Sequence, residues 1–281
     1  MTERIVTANC VEICTETFGH SSDPPVLLMM GMAGSMLWWD ETFCATLAAR
    51  GRFVIRYDQR DTGRSVTYPA GRPGYTGGDM VRDAAGVLDA YGIAAAHIVG
   101  VSAGGALGQV LAIDHPDRVL SLVLISTSLV VGDDRAQLPG PSEELTRFWS
   151  TRAPDPADRD AVTDTLVAYH RLLTGGRRPF DEPFARDLVR RDVDRALDYP
   201  SVQNHELIEG AQPRGRLSDI SVPTLVVHGT ADPLFPIEHG EALASGIPGA
   251  RLLRLEDAGH GVEPADWQTL AAAIADHTAR G

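Results

Sequence analysis

Short apolar runs and longer amphipathic stretches alternate along most of the 281-residue chain. Residues 26–30, 53–57, 96–101, 119–125, 224–229 and 251–255 are mainly apolar runs of strand length. Such runs fit strands buried on both faces of a parallel sheet. Residues 11–15 read as a further strand. Helical patterns fall at 40–50, 79–91, 104–115, 237–245 and 265–278. In the second of these, Met80, Ala84, Val87, Leu88 and Tyr91 recur at the helical period, and Gly92 stops the helix. Strand–helix alternation of this kind predicts right-handed βαβ units, and so an α/β fold around a mostly parallel sheet.

The alternation fails between residues 132 and 217. That stretch is rich in Arg, Asp and Pro and has no clear buried strand. Its apolar positions suggest helices near 160–173 and 184–197, joined through Pro-rich loops at 138–141 and 153–156. The expected organisation is therefore a core of 1–131 and 218–281, interrupted by a helical lid of 132–217. No internal repeat or low-complexity tract interrupts it.

Composition narrows the classes of partner. The formal net charge is −13, which leaves no basic footprint for nucleic acid and disfavours an anionic membrane surface. All 25 basic residues are Arg, so Schiff-base lysine and P-loop chemistry are excluded. Cys10, Cys14 and Cys44 are too few for a disulfide framework. Read as one strand, Cys10 and Cys14 stand about 13 Å apart, and all three cysteines are expected to be small buried hydrophobes. No apolar run reaches the roughly 18 residues of a membrane span, and the N-terminus does not read as a signal peptide. A cytoplasmic protein is expected, as monomer or homodimer.

The chemistry-bearing signal is Gly100-Val101-Ser102-Ala103-Gly104, between an apolar strand and a helix. A G-x-S-x-G turn in that setting exposes its serine on a strained strand-to-helix elbow, beside the positive end of the helix dipole. The expected base is His260, in the Gly-flanked loop after the 251–255 strand. The other histidines considered have plainer readings: His97 and His228 on strands, His115 at a helix end, His170 and His205 in the lid. Asp232, after the 224–229 strand, is the expected orienting carboxylate. Asp257, three residues from His260, is its rival; residues 126–128 after the preceding strand carry no carboxylate. The N–H groups of Met32 and Ala103 are the expected oxyanion donors. The segment Asp58-Gln59-Arg60-Asp61-Thr62-Gly63-Arg64-Ser65 is expected to hold loops near the site rather than to react. Phe148, Trp149, Tyr169, Leu172 and Leu173, with Trp38 and Trp39, read first as packing of the lid and second as an apolar acyl pocket. No metal or organic cofactor is called for.

Together these residues resemble the α/β-hydrolase superfamily over essentially the whole chain. Within it, the chain is similar to aclacinomycin methylesterase. The likeness rests on the opening Thr2-Glu3-Arg4-Ile5-Val6, Met30-Gly31 where many relatives carry His-Gly, and Ile55-Arg56-Tyr57-Asp58. It extends to Arg60-Asp61-Thr62-Gly63-Arg64-Ser65, Gly100-Val101-Ser102, Gln109 and Ile113-Asp114-His115. The resemblance implies an eight-stranded, mostly parallel sheet with helices on both faces and an inserted helical lid. It also implies a serine hydrolase acting on a small-molecule ester, such as a methyl ester of a polyketide-derived substrate. C–C hydrolase, lactonase, thioesterase and perhydrolase activities use the same triad, and a non-catalytic binding protein is the alternative outside enzymes.

Overall fold

The computed structural model describes residues 3–132 and 137–279. Thr2 of the N-terminal likeness and residues 133–136 of the insertion lie outside them. One eight-stranded sheet runs through the molecule in the order β1-β2-β4-β3-β5-β6-β7-β8. Its strands are β1 (Arg4–Ala8), β2 (Val11–Phe18), β3 (Pro25–Met29), β4 (Phe53–Tyr57), β5 (Ala96–Val101), β6 (Val119–Ile125), β7 (Thr224–Gly229) and β8 (Arg251–Leu255). Strands β3 to β8 pair in parallel, while β1 and β2 form an antiparallel edge.

The mostly parallel α/β sheet is as expected, with two differences at its edge. Strand β2 continues to Phe18 rather than stopping at Thr15, and β1 is an additional strand. Only Val6 and Ala8 of β1 are buried, so it lacks the apolar run that marks the central strands. Asn9 and Cys10 both have positive φ and turn the chain between paired Ala8 and Val11, the geometry of a tight hairpin. Cys10 is consequently exposed at a turn and not a buried strand residue; Cys14 and Cys44 are buried as expected. Burial pushes both of those thiols up to about 12.

The apolar runs of the central strands divide between two faces because strand side chains alternate. Leu27, Met29, Ile98, Leu122, Leu124 and Val226 enter one core, packed by α2 (Gly77–Ala90), α3 (Ala103–Asp114) and α7 (Ile237–Gly246). Val26, Leu28, Val99, Val123, Ile125 and Val227 enter the other, under α1 (Glu41–Ala48) and α8 (Trp267–Thr278). Trp39 is fully buried in this second core against Phe43, which removes it from any substrate pocket.

Between β6 and β7 the described residues form helices and turns: α4 (Glu143–Trp149), α5 (Arg159–Leu173), α6 (Glu182–Arg195) and a 3-10 turn over Tyr199–Glu206. Asp158 and Asp181 cap α5 and α6 through their side chains. Val162, Val167, Val189 and Val193 form a small separate core between those helices.

Candidate active site

Ser102 stands where β5 turns into α3, with φ 53° and ψ −122°. A non-glycine residue at positive φ is strained and persists only where its surroundings hold it. Here Ser102 N–H donates to Ile125 O at 2.9 Å, and the Thr127 hydroxyl donates to Ser102 O at 2.7 Å. The flanking glycines are required sterically. A Cβ on Gly100 would meet the carbonyl of Gly104, and one on Gly104 would fall on the carbonyl of Met29. Close approach of strand and helix thus pushes the serine outward. Ser102 Oγ makes no hydrogen bond to another described residue.

Asp232 and His260 come together at the neighbouring strand ends. Asp232 follows β7 and His260 follows β8. His260 Nδ1 lies 2.8 Å from Asp232 Oδ2, and both residues are buried. The other carboxylate oxygen accepts from the N–H groups of Leu234 and Phe235 at 2.8 and 2.9 Å. Burial alone would raise the Asp232 carboxyl; the attraction and hydrogen bond of His260, with His228 and the Phe235 N–H, outweigh it and hold it below the ordinary carboxylate range. Asp257 is exposed and makes no hydrogen bond or ion pair with His260. The His260 backbone N–H donates to Leu173 O at 2.7 Å, at the end of α5, and a Cβ on Gly259 would meet that same carbonyl. The Phe235 ring packs edge-on to His260 at 5.6 Å.

The loop after β3 passes directly over the serine, where a Cβ on Gly31 would stand 3.2 Å from Ser102 Cβ. Met32 is 53% exposed. Neither its N–H nor that of Ala103 is used in a hydrogen bond to a described residue. This loop is clamped from three sides. Gln59 Nε2 donates to Met30 O at 2.9 Å, Asp58 Oδ1 accepts from Met36 N–H at 2.9 Å, and Ala33 N–H donates to His205 Nδ1 at 3.0 Å. The segment from Asp58 to Ser65 accordingly makes scaffolding contacts. Asp58 pairs with Arg195 at 2.7 Å, Arg60 with Asp83 at 2.6 Å, and Asp61 accepts from the Tyr75 hydroxyl and from Asn204 Nδ2 at 2.7 and 3.0 Å.

Two histidines given plain lid readings, His170 and His205, make contacts to the loop after β3 that the sequence pattern did not single out. His170 stacks on Trp38 with ring centroids 4.1 Å apart; burial first, and then the nearby His260, depress it to about 4, so it is neutral. Trp38 Nε1–H donates to Asp192 Oδ2 at 2.8 Å, tying the stack to α6. His205 reaches the loop after β3 from 172 residues away in sequence. Nothing in the local sequence distinguishes these residues from ordinary helix or turn positions. Phe148 and Tyr169 stack on each other at 5.6 Å, and Trp149 is 48% exposed.

Comparison with known proteins agrees with this fold. The model of the alpha/beta hydrolase fold family matches residues 24–262. A rhodomycin D methylesterase from Streptomyces sp. (strain C5) is 36% identical, covering 99% of this chain and 98% of the relative. Another, from Streptomyces peucetius, is 35% identical with the same coverage. Among solved structures, an esterase from Rhodococcus sp. superposes with TM-score 0.78 at 23% identity, over 98% of this chain and 99% of that one; at that identity the likeness speaks for the fold. With a family match across most of its length and methylesterase relatives along nearly all of it, the chain belongs to the α/β-hydrolase family and is a carboxylic ester hydrolase.

Proposed function

We propose that Ser102, His260 and Asp232 act as a catalytic triad that hydrolyses a carboxylic ester through an acyl-enzyme. The observation that carries this reading is the 2.8 Å pairing of His260 Nδ1 with Asp232, beside the strained Ser102 elbow. That pairing directs the Nδ1 proton to Asp232 and leaves Nε2 as the basic nitrogen. In the substrate complex His260 Nε2 takes the hydroxyl proton as Ser102 Oγ bonds to the ester carbonyl carbon. Contacts of this kind commonly tighten only when substrate is bound. The carbonyl oxygen becomes an oxyanion held by the N–H groups of Met32 and Ala103, each worth about 2.7–4 kcal/mol. His260 then returns its proton to the leaving alcohol. Water, deprotonated by the same nitrogen, releases the acid and restores Ser102.

Similarity to the rhodomycin D methylesterases supports a methyl ester on a polyketide-derived anthracycline as substrate, with methanol as leaving group. Such a role belongs to antibiotic biosynthesis in the cytoplasm. The segment 132–217 acts as the lid. No described helix is long and apolar enough to cross a membrane.

The test pairs p-nitrophenyl acetate with a methyl-esterified anthracycline, using Ser102→Ala as control. Release of the anthracycline acid that disappears in Ser102→Ala supports the whole reading. Hydrolysis of p-nitrophenyl acetate alone keeps the triad and removes the substrate. A folded protein inert to both substrates and to a fluorophosphonate overturns both.

A further inference from the structure

We infer that His205, on the turn at the far end of the insertion, is a positioning residue for the oxyanion loop. The inference rests on the proposed role of that loop. Ala33 has φ 62°, a left-handed conformation that is strained for alanine. Its N–H donates to His205 Nδ1 at 3.0 Å. The opposite ring nitrogen lies 2.7 Å from Arg60 O, a backbone acceptor. That carbonyl can only accept, so Nε2 carries the proton and Nδ1 is left with a lone pair for Ala33. A neutral imidazole in one tautomer thus bridges the loop after β3 and the loop after β4.

The environment maintains this state. His205 is 5% exposed, and burial, opposed by the Arg60 carbonyl and Asp61, depresses its basicity. The ring sits edge-on to Tyr75 at 6.4 Å. Next to it, Asn204 accepts from Gly71 N–H at 2.8 Å and donates to Asp61 at 3.0 Å, which fixes the turn carrying His205. Met32, the proposed donor, is adjacent to Ala33. Gln59 holds the loop at Met30, and His205 holds it at Ala33. The Met32 peptide lies between these two restraints. Loss of the second lets the strained Ala33 relax and swings the Met32 N–H off its target. A hydrogen bond made to developing charge is sensitive to such displacement.

The experiment compares wild type with His205→Phe, which keeps the ring and removes both nitrogens, and with His205→Asn, whose side-chain oxygen can replace the Nδ1 acceptor. With p-nitrophenyl acetate, His205→Phe is expected to lower kcat about 10- to 100-fold while KM stays within about twofold. An alkyl trifluoromethyl ketone, whose Ser102 adduct carries the oxyanion, should lose affinity by the same factor, and His205→Asn should restore part of both. Unchanged kcat in a folded His205→Phe protein overturns the inference, as does a fall in kcat with ketone affinity intact. A wild type whose hydrolysis does not depend on Ser102 instead overturns the proposed function. If His205→Phe fails to fold, NMR of the wild type decides. A protonated Nε2, an unprotonated Nδ1 and a slowly exchanging Ala33 amide support the bridge; a protonated Nδ1 or a freely exchanging amide ends it.

Discussion

Every residue of β5 is buried, whereas α6 buries only Ala185, Leu188, Val189, Asp192 and Val193 of its fourteen residues. Strand β5 delivers Ser102 from the middle of a sheet covered on both faces. Helix α6 belongs to an insertion whose own core is four valines, supplemented at the surface by ion pairs such as Arg159–Asp194 and Arg186–Asp164. Exposed pairs of this type contribute little stability. The comparison shows two kinds of precision. Tight packing and excluded glycine Cβ atoms fix Ser102, while a few long-range polar bonds fix the segment between β6 and β7 to the sheet. Arg195 reaches Glu3 and Asp58 at 2.6 and 2.7 Å, and His170, Leu173, Asp192, Asn204 and His205 supply the other attachments described above.

Substitutions can break this contrast in descending order of effect. Ser102→Ala should lower kcat by on the order of 10⁶-fold without altering the melting temperature, since the hydroxyl has no structural partner. Asp232→Asn should cost about 10⁴-fold in kcat, with binding of the intact ester little changed. Arg195→Met tests the attachment of the insertion. It strands the fully buried Asp58 carboxylate, and urea unfolding should report a loss of about 3–5 kcal/mol; a loss below 1 kcal/mol would assign the docking to other contacts.

Glu263 gives a pH-dependent test. Its carboxyl lines a cleft of about 190 Å3 with Arg178 and Asp181. Burial first, then Asp266 and Asp181, raise it to about 7 from the usual 4.5, against the pull of Arg178. The folded state therefore binds more protons than the unfolded state between those two values. Stability contributed at this position must fall as pH rises through that window, with the full cost present above about 7. Glu263→Gln should flatten the fall in melting temperature between pH 5 and 8; an unchanged slope refutes it. The smallest effect is expected for Arg159→Ala, below about 1 kcal/mol, because both members of its pair are exposed.

The legibility of the chain follows the same division. The buried strands were readable because continuous apolar runs have few alternatives at that length. Strand β1 was not, because an edge strand with exposed Arg4 and Ile5 and a polar Thr7 carries no such run. Ser102, Asp232 and His260 are marked by turn chemistry and by their places just after β5, β7 and β8, which are local properties. His205 and His170 contribute through contacts across more than a hundred residues, and no periodicity encodes a partner at that distance. Asp58 to Ser65 fell between these cases: its motif suggested a scaffold, but its partners Arg195 and Asn204 emerged only from the three-dimensional arrangement.

The backbone bond from His260 to Leu173 joins the loop after β8 to the end of α5, and at Gly259 a side chain of any size would collide with that carbonyl. The seam between the sheet and the helices that follow β6 is therefore written partly in main-chain atoms. Side-chain variation on α5 can proceed without disturbing it, whereas a residue larger than glycine at position 259 would pry the two apart.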